Sequence, residues 1–240
     1  AGRLASTMRF TKEVLAPFLV PPIYDGSRSG LRAFGEDPPA CSTIDQERWA
    51  FLDTTNGAVR IWWQKSRPWE GAHAETMRTW IDTDIWPKLV NVFNGRVPES
   101  DQSQVCNGGD GRLDLYLTNR GKAIATPFRS CGPTPVYITS GVANGLIGRQ
   151  TLTHELAHAF QFAYKLSGCL QDKKYRWWGE ATAQWTMDHV FPDANGEHGS
   201  ARHFLDTPES SLDLFNDGHE YGAYLFAQFL AKEMSPAVIT

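Results

Sequence analysis

Three short segments of the sequence carry the residue pattern of β-strands. Residues 112–118 alternate apolar and polar positions, so that their three leucines would share one face of a strand. Residues 58–63 and 135–139 are rich in β-branched and aromatic side chains, which favour strands as well. All three segments lie in the first two-thirds of the chain, so we predict a sheet there.

A period of three to four residues marks the predicted helices. It runs through residues 73–93, where Pro87 is expected to kink or divide the helix because proline has no backbone N–H to donate. It returns over residues 149–166, which end before a glycine. Two more helices are predicted over residues 176–190 and 220–234.

The order of these elements predicts an α+β, zincin-like fold with two lobes. Residues 17–40 are rich in proline and glycine and are expected to form an extended lead-in. Residues 1–168 would form a lobe with a small mixed sheet that ends in a central helix, and residues 169–240 a helical lobe. A chain of 240 residues fits one domain with a cleft between these lobes.

Composition narrows the class of protein. A hydrophobic share of 41% and an aromatic share of 12% exclude global disorder. With a net charge of -4 and no run of Lys or Arg, no nucleic-acid partner is expected. No apolar stretch approaches the ~18 residues that cross a bilayer, so we expect no membrane span. We also expect a monomer. The first ten residues lack the apolar segment of a signal peptide, which predicts a mature chain or one cut from a longer protein.

The four cysteines, Cys41, Cys106, Cys131 and Cys169, bear on the compartment. Their even number and turn-rich surroundings favour disulfides and an extracellular protein, although four buried thiols in a cytosolic protein are the alternative. Three pairings are open, of which 106–131 together with 41–169 is favoured. A bridge across the 25 residues from Cys106 to Cys131 would stabilise the fold by roughly 3–4 kcal/mol.

The predicted central helix contains the motif H-E-x-x-H, formed by His154, Glu155 and His158. Two histidines four residues apart project from one helix face and can bind a single metal ion, for which Zn²⁺ is the usual choice. Glu155 lies one step round the helix, where a carboxylate can deprotonate a metal-bound water. Two solvated histidines on a surface helix are the alternative, but the apolar residues around the motif indicate a buried element.

A catalytic zinc site needs a third protein ligand. Glu180 is our candidate, because its helix could return alongside the first and two tryptophans before it could anchor that packing. The alternative is a surface glutamate stabilised by the helix dipole. Other candidate ligands are Asp188, His189, His198 and His203. A third histidine in the metzincin position is excluded, because Tyr164 stands there and Gln161 replaces the metzincin glycine.

These two segments, 154–160 and 178–185, make the chain resemble the gluzincin class of zinc metallopeptidases, nearest in motif to the bacterial-collagenase and aminopeptidase groups. The resemblance implies one catalytic Zn²⁺ held by His154, His158 and Glu180, with Glu155 as general base and acid. The chain departs from those groups at Ala181, where glycine is common, and thermolysin-like enzymes have an aspartate where Gln184 stands. The G-x-M-E-N segment of the aminopeptidases is absent, so exopeptidase activity is not implied.

The resemblance also implies roles for two further segments. Zincins lay the substrate chain along an edge strand before the active-site helix, and residues 135–141 occupy that place in the sequence. A tyrosine or histidine downstream stabilises the oxyanion in gluzincins, and Tyr221 and His219 are the candidates here. Core aromatic residues at the start of a helix are the alternative interpretation of that last pair.

The sequence therefore predicts a secreted zinc endopeptidase that hydrolyses a polypeptide substrate through a metal-activated water. The alternatives are a non-catalytic binding or adhesion module on a zincin scaffold and a zinc hydrolase of another amide bond. Calcium is a weaker expectation at residues 106–114 and 193–197, whose Asp, Asn and Gly spacings do not fit the EF-hand loop and are typical of turns.

Overall fold

The computed structural model describes residues 48–104, 107–118, 123–125, 132–139, 145–164 and 176–239. The four cysteines and the predicted lead-in lie outside these residues, so the disulfide pairings stay predictions.

A five-stranded mixed sheet forms the first part of the fold. Its strands are β1 (Trp49–Asp53), β2 (Val59–Gln64), β3 (Leu113–Thr118), β4 (Ile124–Ala125) and β5 (Val136–Thr139). The strands lie in the order β1-β2-β3-β5-β4. The inner strands β2, β3 and β5 run parallel, whereas β1 and β4 are antiparallel to their neighbours and form the two edges. The three strands predicted from the sequence are confirmed.

The assignment of residues 135–141 to an edge strand is wrong. Strand β5 lies between β3 and β4, and the edge on that side is β4, with Ile124 opposite Tyr137 and Ala125 opposite Val136. Val136 and Ile138 are fully buried, as expected for an inner strand in the parallel part of a sheet. A two-residue strand such as β4 is too short to show any periodicity, which is why the sequence did not reveal it.

Both faces of β3 are buried. Its leucines face the main core, and the opposite face carries Asp114 and Tyr116, which are 1% exposed. Trp49 and Trp62 cover that second face and form a separate small cluster with Tyr116. The indole Nε1 of Trp62 donates to Asp114 Oδ1 at 2.8 Å, so the buried carboxylate has a partner.

The predicted helix over residues 73–93 is divided, as expected from Pro87. Helix α1 (Glu70–Trp80) passes into a π-helical turn (Ile81–Ile85) and then into α2 (Trp86–Val92), in which Pro87 occupies the first turn. Proline cannot donate to a carbonyl of the preceding turn, and its ring would clash with the carbonyl four residues earlier. The wider π turn directly before it avoids both problems.

The described residues from 145 onward are mainly helical, as predicted. It comprises α3 (Gly145–Phe162), α4 (Arg176–Val190), α5 (His198–Leu205), α6 (His219–Gly222), α7 (Tyr224–Glu233) and a 3₁₀ turn (Pro236–Ile239). Helix α4 contacts α3, α6 and α7. Helix α5 was not predicted, and the helix expected over residues 220–234 is broken between α6 and α7 at Ala223.

One hydrophobic core joins the sheet to these helices. It includes Val59, Ile61, Leu115 and Val136 from the strands and Leu152, Phe160, Trp178 and Leu230 from the helices. The fold is therefore α+β, while the division into lobes at residue 168 stays a prediction. Among the described residues, every helix is too short or too polar to cross a membrane.

Candidate metal centre

Helices α3 and α4 bring three ligating side chains to one point. His154 Nε2 lies 3.2 Å and His158 Nε2 3.3 Å from the same oxygen, Glu180 Oε2. The two imidazole Nε2 atoms are 3.1 Å apart. The ligand atoms of the three residues all lie within 4.8 Å of one another, close enough to bind one metal ion. In the part of the chain that the structure describes, these three residues form the one such group of His, Cys, Asp or Glu side chains.

The packing of the two helices explains why these polar groups converge. On α3, the residues next to the histidines, Leu156 and Ala157, are fully buried, so the helix is enclosed around the motif. On α4, Trp177 and Trp178 are 2% and 1% exposed and fix the helix against the core just before Glu180. The imidazoles and the carboxylate therefore face each other between the helices rather than water.

The three groups are strongly coupled electrostatically. Burial opposes the charge on His158, but the neighbouring carboxylate of Glu180 outweighs it and raises the pKa of the imidazole to about 9. Burial likewise opposes the charge on Glu180, yet the two imidazoles hold the pKa of its carboxyl well below the usual range. The cluster thus keeps a carboxylate ionised in a buried position, which a metal ligand must be.

Glu155 lies beside this cluster and is equally buried, at 8% exposure. Burial raises the pKa of its carboxyl, although His154 and His158 and a backbone hydrogen bond from Ala125 act in the opposite direction. Ala125 belongs to β4, so the carboxylate of Glu155 is held between the histidines and the edge strand.

In the sequence, Gln161 stands out only as a departure from the metzincin pattern. In the structure it contacts His158 of the candidate metal centre. Its side-chain Oε1 lies 2.8 Å from His158 Nδ1. Its Nε2 donates to the carbonyl oxygen of Gly179 at 3.1 Å and to Thr182 Oγ1 at 2.8 Å. The spacing of three residues on one helix face is the signal that would have placed it near His158.

The two candidate oxyanion donors occupy different surroundings. The ring of Tyr221 lies 6.0 Å from the ring of His154, beside the cluster. His219 is 3% exposed and its ring lies 5.1 Å from Phe204. Neither ring nitrogen of His219 has a hydrogen-bond partner among the described residues. Of the two, Tyr221 is therefore the one whose ring lies beside a candidate metal ligand.

The alternative third ligands have other contacts. His198 Nε2 lies 3.3 Å from Glu197 Oε1, and the His189 ring stacks on Trp185 with 4.8 Å between the ring centroids. Within the described ranges, neither these residues nor Asp188 and His203 belong to a group with metal-binding geometry.

One aspartate in each of the turns considered for calcium forms ion pairs with arginine side chains. Asp110 Oδ2 lies 2.6 Å from Arg60 and also pairs with Arg112, while Asp193 pairs with Arg149 at 3.1 Å. These contacts support the interpretation of both segments as turns.

A second buried acidic cluster, formed by Asp101 and Asp114, was not predicted. Burial and the neighbouring Asp114 raise the pKa of Asp101 to about 8, and the two side chains are hydrogen-bonded. Burial also raises the pKa of Asp114, to about 6, despite the hydrogen bonds from Trp62 and Tyr116. One carboxyl of the pair therefore keeps its proton at neutral pH, and Asp101 is that group because it lacks the two donors that Asp114 has.

No model of a known protein family matches the chain, and neither does any curated protein. A function for this protein is therefore inferred from the geometry of its residues.

Proposed function

We propose that this protein is a zinc-dependent endopeptidase of the gluzincin type, with a zincin-like catalytic domain. The observation that carries the proposal is the convergence of His154, His158 and Glu180 within 4.8 Å, with Glu155 buried directly beside them. A second observation supports a peptide substrate: the edge strand β4 lies next to Glu155.

The residues present fit a catalytic zinc ion. Two imidazoles and one carboxylate are a known ligand set for catalytic zinc, which leaves a fourth position for water or substrate. The Nδ1 atom of His158 is engaged by Gln161, so its Nε2 atom can coordinate a metal. When bound, the ion would supply Lewis acidity and lower the pKa of a water molecule.

Glu155 would act as the general base and then as the general acid. Its carboxylate would accept a proton from the attacking water and deliver it to the nitrogen of the leaving amine. A pKa raised by burial suits this role, because a base works best when its pKa lies near the working pH.

Strand β4 would bind the substrate backbone by strand addition. In the described sheet, its pairing partner is β5 on one side, which leaves its other edge for an incoming chain. An extended polypeptide there would pass close to Glu155, because Ala125 of β4 donates a backbone hydrogen bond to that carboxylate. This arrangement favours cleavage within a chain.

Tyr221 would donate a hydrogen bond to the oxyanion, since its ring lies beside His154. Replacement by phenylalanine should lower kcat about 100-fold with zinc retained, and an unchanged kcat would remove Tyr221 from the mechanism. His219 stays a candidate for the same role, tested by the corresponding His219→Gln variant.

We also propose that the protein acts outside the cell, with its four cysteines paired. Alkylation of the unreduced, unfolded protein should then modify none of Cys41, Cys106, Cys131 and Cys169. Modification of all four would contradict the extracellular assignment.

The experiment for the proposed function is the Glu155→Gln variant. It should keep one zinc ion per chain and lose cleavage of an unfolded protein substrate, by about 100-fold or more, because the amide cannot accept the proton. Glu233→Gln, at an exposed position on α7, is the matched control and should cleave like the wild type. Unchanged turnover in Glu155→Gln would reject the mechanism. Zinc-loaded wild type that cleaves no peptide would instead favour a binding module or another amide substrate.

A further inference from the structure

Gln161 joins the two helices that carry the metal-site residues. It lies three residues after His158 on α3 and is 5% exposed. Through its Nε2 atom it reaches Gly179 and Thr182 on α4, one residue before and two residues after Glu180. A single buried amide therefore contacts both sides of the cluster.

The hydrogen bonds fix which way this amide faces. The carbonyl oxygen of Gly179 can only accept, so the atom of Gln161 that faces it must be the NH₂ group. The hydroxyl of Thr182 donates to the carbonyl oxygen of Trp178 at 2.7 Å and accepts the second amide hydrogen. Both hydrogens of the Gln161 NH₂ group are thus used on α4.

The orientation of Gln161 in turn fixes the tautomer of His158. The amide oxygen faces His158 Nδ1 at 2.8 Å, and because this oxygen only accepts, Nδ1 must carry the proton. The lone pair of the neutral imidazole is then on Nε2, the atom that faces His154 and Glu180.

We propose that Gln161 is a positioning residue that sets the tautomer of His158 and holds the helix of Glu180 in register with it. The proposal rests on the proposed zinc site, but not on the reaction performed there. No other side chain of the same size serves both ends: a glutamate would accept from His158 but place a carboxylate against the carbonyl of Gly179, and a leucine would make none of the three bonds.

Zinc affinity of the folded chain, measured by competition with a chromophoric chelator, tests this inference without any activity assay. Gln161→Leu should bind zinc about 10- to 100-fold more weakly, as expected when the group that orients a metal-binding histidine is lost. Gln161→Glu would keep the hydrogen bond to His158 but lose the hydrogen bonds to α4. It should therefore also bind zinc more weakly than the wild type. The control is Gln184→Leu, which removes an amide of similar burial that donates to Ser200 Oγ at 3.1 Å. It should bind zinc within about twofold of wild type.

Nitrogen-15 NMR of the zinc-loaded wild type gives a second measurement that does not depend on the folding of a variant. His158 should show a proton on Nδ1 in slow exchange and a metal-shifted Nε2 resonance. A proton on Nε2, or zinc affinity in folded Gln161→Leu equal to wild type, would overturn the inference and leave the endopeptidase proposal intact. Wild type that binds no zinc would overturn both. Zinc-binding protein with the expected Gln161 effect and no peptidase activity would reject only the proposed function.

Discussion

Two buried clusters of ionisable groups in this protein differ in the sign of their partners. In the candidate metal centre, Glu180 faces two imidazoles, and the pKa of its carboxyl lies well below the usual range. In the second cluster, Asp101 faces Asp114, and its pKa is raised to about 8. All of these groups are less than one-tenth exposed, so burial alone does not decide whether a carboxyl keeps its charge.

The comparison indicates what each cluster requires. Asp101 and Asp114 reduce their repulsion with one retained proton and with hydrogen bonds from Trp62 and Tyr116 to Asp114. The candidate metal centre holds an ionised carboxylate next to two imidazoles, which would release protons on binding a metal cation. We therefore expect a metal cation to replace protons in the first cluster, whereas the second cluster is stabilised by a retained proton.

The largest effect is expected when one carboxyl of each cluster is replaced by an amide in turn. Glu180→Gln should weaken zinc binding by more than about 100-fold, because a ligand is lost rather than a group that supports one. Asp101→Asn should leave zinc affinity unchanged, which makes it the matched control. Competition with a chelator measures the zinc affinity of both variants. Equal affinities would contradict the proposed difference between the clusters.

A smaller effect is expected on the pH dependence of stability. A carboxyl whose pKa is raised in the folded state binds more protons folded than unfolded, so its contribution to stability is lost as the pH rises. For Asp101 this loss extends from about pH 4 to about pH 8. The free energy of unfolding should fall between pH 5 and pH 8 by more than about 1.4 kcal/mol in the wild type relative to Asp101→Asn.

Urea unfolding at both pH values, with a chelator present, provides this measurement. His158 also has a raised pKa, but it is present in both proteins and its contribution cancels in the difference. A wild type and an Asp101→Asn variant with parallel pH profiles would show that Asp101 is ionised in the folded protein.

The smallest effect is expected from removal of one hydroxyl. The Tyr116 hydroxyl donates to Asp114 Oδ2 at 2.9 Å, so Tyr116→Phe should lower the free energy of unfolding by about 1–2 kcal/mol. The cost should be greater at pH 8 than at pH 5, because the pKa of Asp114 is about 6 and the bond to an ionised carboxylate is stronger. Tyr224→Phe is the control, since the pKa of that buried tyrosine is raised to about 12 and it does not titrate in this range. An equal loss of stability at both pH values would show that Asp114 does not change its protonation between pH 5 and pH 8.

Local patterns in the sequence were sufficient to predict part of the fold and part of the candidate site. The spacing of His154 and His158 places them on one helix face whatever the rest of the fold, and the strand over 112–118 follows from its alternation. Helix α4 was predicted at its observed bounds, with Glu180 inside it. Each of these features depends on residues close together in the chain.

Contacts between distant segments could not be predicted in the same way. The edge position of β4 depends on its pairing with β5, and a strand of two residues has no period of its own. The bonds from Gln161 to Gly179 and Thr182 and the pairing of Asp101 with Asp114 exist only once the elements are packed. Side-chain networks of this kind are a property of tertiary structure.

The proposed zinc site is tested most directly by metal analysis of the purified protein. A crystal structure, with anomalous scattering at the zinc edge, would locate the ion. We predict one zinc ion per chain, coordinated by His154, His158 and Glu180. Protein that binds no zinc when the metal is supplied, or zinc bound without Glu180, would contradict this prediction.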